Sequence, residues 1–204
     1  MSLHLWFGFL AATLVVALSP GPGAVLSMSV GLRHGYRHAL AAILGLQTAL
    51  LLQLGLVAIG LGALLAASES AFLAVKLAGA AYLVWLGIQK WRAPVEEAGA
   101  VEDELKSGFY RQGILVNLGN PKAIVFIAAL VPQFVDPAAP QGIQFLVIAA
   151  TMFSIDVVVM SGYALLASRF RGAVRSRRSI LLQNRVFGGI FIGAGCILAG
   201  ASRH

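Results

Sequence analysis

Three stretches of this chain set polar chemistry inside apolar sequence. Asp156, in S-I-D-V-V-V-M-S-G-Y, is the one carboxylate well inside a hydrophobic run. Inserting such a group into a membrane costs roughly 2.5–3.5 kcal/mol, so it reads as a proton carrier, an ammonium ligand or the partner of a cation. Lys122, in G-N-P-K at 119–122, is the cation inside a second run. The third stretch, Ser19, Pro20, Gly21, Pro22 and Gly23, carries no charge but breaks a helix. Pro20 and Pro22 lack N–H donors, and the glycines let the chain turn. A new half-helix can start near Gly23, with Asn120 as N-cap and Pro121 as first helical residue of its counterpart. Exposed backbone groups at such ends would cost several kcal/mol each against lipid, so both breaks must be buried in protein or line a wet cavity. A helix N-terminus there favours an anion such as a carboxylate. Lys122 falls where the helix dipole is already positive, which makes sense if an anion visits or a carboxylate pairs with it.

Further polar candidates surround these groups. Gln47 and Thr48 lie inside the second apolar run, and Asn117 interrupts the fourth. Neighbours about 100° apart can serve a cavity and a helix contact at once. Gln47 and Thr48 read equally as substrate contacts or as interhelical hydrogen bonds, worth about 0.6 kcal/mol on average. Met160 and Tyr163 share the helical face of Asp156 at i+4 and i+7. Gly189 and Gly193 form a G-x-x-x-G read as helix packing.

The elements that position these groups follow from composition. Of the 204 residues, 59% are hydrophobic and 11% charged, against about 45–50% and 25% in soluble domains. A mean hydropathy of +0.86 over the whole length is not that of a soluble protein with one anchor, and excludes a cytosolic enzyme, a DNA-binding domain and a disordered tail. The net charge of +7 therefore points to lipid headgroups rather than nucleic acid. A lone cysteine, Cys196, can make no internal disulfide. Spans of about 20 apolar residues are counted as Leu5–Leu32 (broken at 19–23), Ala39–Ala67, Ala71–Gln89, Gly113–Phe134 (broken at 119–122), Ile143–Ala167 and Val186–Ala201. No lysine or arginine precedes the first run and a double-proline turn follows it, so it is expected to stay as a span rather than leave as a signal peptide.

With six spans, twelve of the 15 Lys and Arg fall on one side, among them Arg33, Arg37, Arg92, Arg111 and the cluster Arg169–Arg185. The positive-inside rule puts that side in the cytoplasm and both termini outside. A polar connector at 92–110 separates halves at 1–91 and 111–204, each opening with a broken helix. Three spans per half make the second half inverted relative to the first, and paired interruptions of this kind point to a midplane binding site. The fold class expected is an all-α membrane protein of two inverted three-helix repeats. Hydrolase, phosphate-binding and metal motifs are missing, so neither a catalytic residue nor a metal site nor a cofactor is expected; a Ser27–Lys122 dyad has nothing to support it.

The residues also carry a family likeness. L-S-P-G-P-G-A at 18–24, G-Y-R-H-A at 35–39, A-G-A-A-Y-L-V-W-L-G-I-Q-K-W-R at 78–92 and N-P-K-A-I-V-F-I-A-A-L-V-P-Q-F at 120–134 resemble the LysE/RhtB superfamily of bacterial amino-acid exporters. G-L-Q-T at 45–48 and D-V-V-V-M-S-G-Y-A-L-L-A at 156–167 favour its homoserine-exporting subgroup. The resemblance implies an inner-membrane exporter of small neutral amino acids, driven by protons. L-homoserine is the expected cargo, with threonine and homoserine lactone beside it. Many relatives have an aspartate near the position of Thr48; if that acid carries the proton there, Asp156 must do so here, with Lys122 as the other proton-coupling candidate, or coupling works otherwise. The cargo carboxylate is expected at Gly23 and Lys122, and its ammonium at Asp156 or at free carbonyls near Leu18 and Ser19. The partners implied are the amino acid, protons and membrane lipids, with homodimerisation left open. The rivals are a different amino-acid cargo (leucine-like, cysteine-like or basic), a membrane-embedded lipid enzyme and a passive channel.

Overall fold

The computed structural model describes residues 1–67, 108–136 and 138–169, with isolated positions between 77 and 92 and between 181 and 199. Among the described residues every regular element is helical. Helix α1 (Leu3–Leu18) starts at Ser2, whose hydroxyl accepts from Leu5 N at 3.3 Å, and stops before the proline–glycine run. Helix α2 (Pro22–His34) begins one residue earlier than expected, with extended Gly21 as N-cap and Pro22 in the first turn. Gly35, at φ 82°, then turns the chain sharply into α3 (Tyr36–Ala67). Helix α4 (Phe109–Leu118) follows a second positive-φ glycine, Gly108. Helix α5 (Pro121–Val125) continues through a π turn at Phe126–Leu130 and a 3₁₀ turn at Val131–Phe134. Pro132 has no N–H to bond back to Ala128, which is a local reason for the irregular winding. Helix α6 (Gln141–Arg169) closes the continuous part.

Among the described residues two single helices are long and apolar enough to cross a membrane: Tyr36–Gly60 within α3, and α6. At about 1.5 Å per residue the 29 residues of α6 reach about 44 Å, ample for a core of roughly 30 Å. Two more spans arise if α1–α2 and α4 with 121–134 are each one broken helix; their bends are 53° and 56°. The connector and the basic cluster around Arg171–Arg178 lie outside the described residues, as do most of the third and sixth expected spans. Isolated helical positions are described between 77 and 92 and between 181 and 199, and glycines bring them together. A Cβ at Gly87 would lie 2.7 Å from Gly188 O, and one at Gly195 would lie 2.7 Å from Ala80 O. Of the expected pair, a Cβ at Gly189 would lie 3.3 Å from the Trp91 ring, whereas one at Gly193 would meet nothing within 4 Å among the described residues; the closest approaches here are at Gly87, Gly188 and Gly195.

The core lies in two clusters. One joins Phe9, Leu50, Leu54, Phe126, Ile127, Val131, Phe145, Ile148 and Met152. The other joins Ala24, Leu26, Val30, Ala42, Ile43, Leu46, Met160 and Ala164. Large apolar side chains also face outward, with Leu56 and Leu146 each 70% exposed and Ile59 78% exposed. Water would not tolerate such a surface over several helices, whereas lipid does.

Candidate functional site

The site lies where the two clusters meet. A cavity of ≈ 60 Å³ is walled by apolar residues from both clusters and by Thr13, Gly23, Asn117, Asn120, Lys122 and Asp156. That volume is above the roughly 10–15 Å³ a cavity needs to admit one water, so a small polar solute can enter. Each broken helix contributes to the wall just at its interruption.

The local chemistry of the breaks is explicit. Asn120 Oδ1 accepts from Lys122 N at 3.1 Å, so the second break is side-chain capped with Pro121 behind the cap, as expected from their types. Asn120 Nδ2 in turn donates to Asn117 Oδ1 at 3.3 Å, and Asn117 Nδ2 donates to Leu46 O at 2.9 Å. Gln53 Nε2 donates to Asn117 O at 3.0 Å. The end of α4 is thus tied to α3 by side chains.

The end of α1 is tied to the other half in the same manner. Tyr163 Oη on α6 donates to Leu18 O at 2.7 Å. Lys122 Nζ donates to Val16 O at 2.9 Å and to Ser19 O at 2.7 Å. The carbonyls near Leu18 and Ser19, expected to be free for a cargo ammonium, therefore already accept from the protein's own donors. The expected pairing of Lys122 with an anion did not anticipate these partners, which lie more than 100 residues away in sequence.

Asp156 enters the cavity from α6, and its Oδ2 accepts a hydrogen bond from Gln47 Nε2 on α3. Gln47 itself is buried, and its Oε1 has no partner among the described residues; Ser19 Oγ is likewise buried without one among them. Met160 lines the cavity beside Asp156, one helical turn on. Of the expected binding residues, Gly23, Asn117, Asn120 and Lys122 reach the wall, together with Asp156. Ser19, Pro20, Gly21, Pro22, Gln47, Pro121 and Tyr163 do not line it; Gln47, Ser19 and Tyr163 instead hold groups that flank it. Thr48 points elsewhere, with its hydroxyl bonded to Leu44 O at 3.0 Å and to Tyr110 Oη at 2.8 Å. Ser27 donates to Gly23 O at 2.8 Å and forms no part of the wall, so no Ser–Lys dyad is assembled there. Thr13, Phe126 and Met152 complete the wall without having been singled out, since one hydroxyl or ring in an apolar run carries no sign of which way it faces. No cluster of metal-ligating side chains occurs among the described residues.

Helices broken in pairs around a small cavity with one acid and one base define a membrane transporter-like architecture. The LysE type translocator family matches residues 14–202, and the chain belongs to that family. It is 44% identical to the homoserine/homoserine lactone efflux protein of Salmonella typhimurium over the full length of both chains. It is 46% identical to an uncharacterized membrane protein of Vibrio cholerae, over 98% of this chain and 99% of that one. The leucine efflux protein of Klebsiella pneumoniae is more distant, at 28% over 94% of this chain and 92% of its own. No solved structure matches. Membership of this family makes the chain an amino-acid efflux transporter rather than an enzyme.

Proposed function

We propose that the chain is a secondary active exporter of small neutral amino acids, with L-homoserine as main cargo and threonine and homoserine lactone as further cargo, working by proton antiport across the bacterial inner membrane. The observation that carries the reading is the small cavity described above, whose wall holds Asp156 from the continuous α6 and Lys122 from the second broken helix. The name of the 44% identical relative supports homoserine as the cargo.

In this reading six spans form two inverted repeats, 1–91 and 111–204, around a cytoplasmic connector at 92–110, with both termini periplasmic. Reciprocal ties support it. The end of α1 is held by Tyr163 from the second helix of the other half, and the end of α4 by Gln53 from the second helix of the first. An inverted pair of repeats would generate such an exchange.

The cargo ammonium lies against Asp156, which accepts from Gln47 and has further lone pairs to offer. The carboxylate lies against Lys122 and the first turn of α2 at Gly23, near Asn117 and Asn120. A lactone lacks the carboxylate and binds through its ammonium and carbonyl alone. Asp156 carries the proton. A zwitterion has no net charge, so the membrane potential alone does not drive it. One exchanged proton brings about 2.3 kcal/mol per 100 mV, enough for well over a tenfold gradient at roughly 1.4 kcal/mol per tenfold.

Cargo choice is tested by loading liposomes containing the purified chain with labelled homoserine, threonine, leucine or lysine. Fastest saturable efflux of homoserine is expected. Efflux of leucine or lysine at the higher rate would replace the cargo and keep the class.

A further inference from the structure

We propose that the C-terminal end of α1 is a monovalent-cation subsite that this chain fills from within, using the ammonium of Lys122. The subsite is defined by the carbonyls of Val16 and Ser19, which receive Lys122 Nζ at 2.9 and 2.7 Å. It is a property of the break and does not depend on which amino acid is exported.

Four observations converge on it. The last carbonyls of the 16-residue α1 form the negative end of its dipole. Ser19 N donates back to Val15 O and Val16 O and Tyr163 donates to Leu18 O, and the lone pairs that remain at this end need a partner that lipid cannot give. In broken-helix transporters, unwound carbonyls and half-helix C-terminal ends are where a coupling cation sits. Here a tethered ammonium reaches that place across 103 residues of sequence, with contacts as short as charge-assisted hydrogen bonds. The path is also kept open: a Cβ at Gly21 would lie only 3.3 Å from Lys122 Cε and Nζ. The arrangement gives a reason for a lysine in the first turn of α5, where the local dipole opposes it. It is offset by the opposite end of a different helix.

A cation held by a tether cannot be exchanged, so the two breaks are pinned to each other without sodium. Removing the ammonium should open the subsite to a small free cation, either a primary ammonium or Na⁺.

The test is the thermal stability of purified Lys122→Ala in detergent, with propylammonium, sodium or choline chloride added at equal ionic strength. Propylammonium is expected to restore the melting midpoint at least half of the way to the wild-type value, sodium to restore a part, and bulky choline nothing. A folded variant that melts like the wild type, or responds equally to all three salts, overturns the proposal. If the variant cannot be recovered, its recovery during purification in propylammonium supports the proposal, and failure there too counts against it. The wild type supplies an independent arm. Replacing sodium by choline should leave its melting midpoint unchanged, and stabilisation by sodium would mean that the subsite is not filled from within.

Discussion

Gly45 and Gly55 lie on the same helix, and the same substitution at each should have opposite consequences. A Cβ at Gly45 would fall 1.9 Å from Tyr110 O and 3.1 Å from Gly113 Cα, while one at Gly55 would meet nothing within 4 Å. Carbon–oxygen contacts settle near 3.3–3.6 Å, so Gly45→Ala must move α3 and α4 apart by about 1.4 Å. Overpacking of this kind costs about 1–3 kcal/mol. The same movement stretches the hydrogen bond from Asn117 Nδ2 to Leu46 O, now 2.9 Å, past its useful range. A buried group left unpaired adds about 1–3 kcal/mol. A total of about 2 kcal/mol or more lowers the melting temperature by roughly 4–8 °C in a chain of this size. Gly55→Ala should leave it unchanged or raise it, because alanine holds a helix better than glycine by up to about 1 kcal/mol. The assay is thermal unfolding of both variants in the same detergent, read by loss of the monodisperse peak on size exclusion. If the two variants melt together, the close crossing of α3 and α4 is not what positions Asn117.

Other substitutions separate the wall of the cavity from its supports. Thr48→Val should leave the KM for homoserine efflux unchanged, since its hydroxyl faces Tyr110, and a raised KM would place Thr48 at the cargo. Asn120→Ala removes the cap on Lys122 N and should cost about 1 kcal/mol of stability; a loss-free variant in thermal unfolding would mean that the cap contributes nothing. Tyr163→Phe gives up the bond to Leu18 O, so a loss of about 0.5–1.5 kcal/mol in stability is expected with cargo affinity retained. A large rise in KM for that variant would instead make Tyr163 a cargo contact.

The breaks were legible because their chemistry is local. A cluster of prolines and glycines interrupts a helix locally, and Asn-Pro signals a capped start by residue type alone; Asn120 and Pro121 take up those positions. Asp156 was legible because a carboxylate is costly in an apolar run, and it does reach the cavity. Partners distant in sequence were not legible. Nothing near Lys122 announces that its ammonium ends on Val16 and Ser19. Gln47 and Thr48 are adjacent, and only the neighbouring helices decide that the first meets Asp156 and the second Tyr110. The expected packing pair holds only in part for the same reason, since Gly189 lies against Trp91 and Gly193 against nothing among the described residues. Gly188 and Gly189 look alike in sequence, yet it is Gly188 whose Cβ would come 2.7 Å from Gly87 O.

The central claim is active export of homoserine with Asp156 as proton carrier, and proteoliposomes test it most directly. Labelled homoserine is followed with and without an imposed proton gradient, for the wild type and for Asp156→Asn. The account predicts accumulation against the homoserine gradient only when the proton gradient is present, and its loss in the variant. Equilibration at the same rate and to the same level with or without the proton gradient would contradict it and leave a passive facilitator.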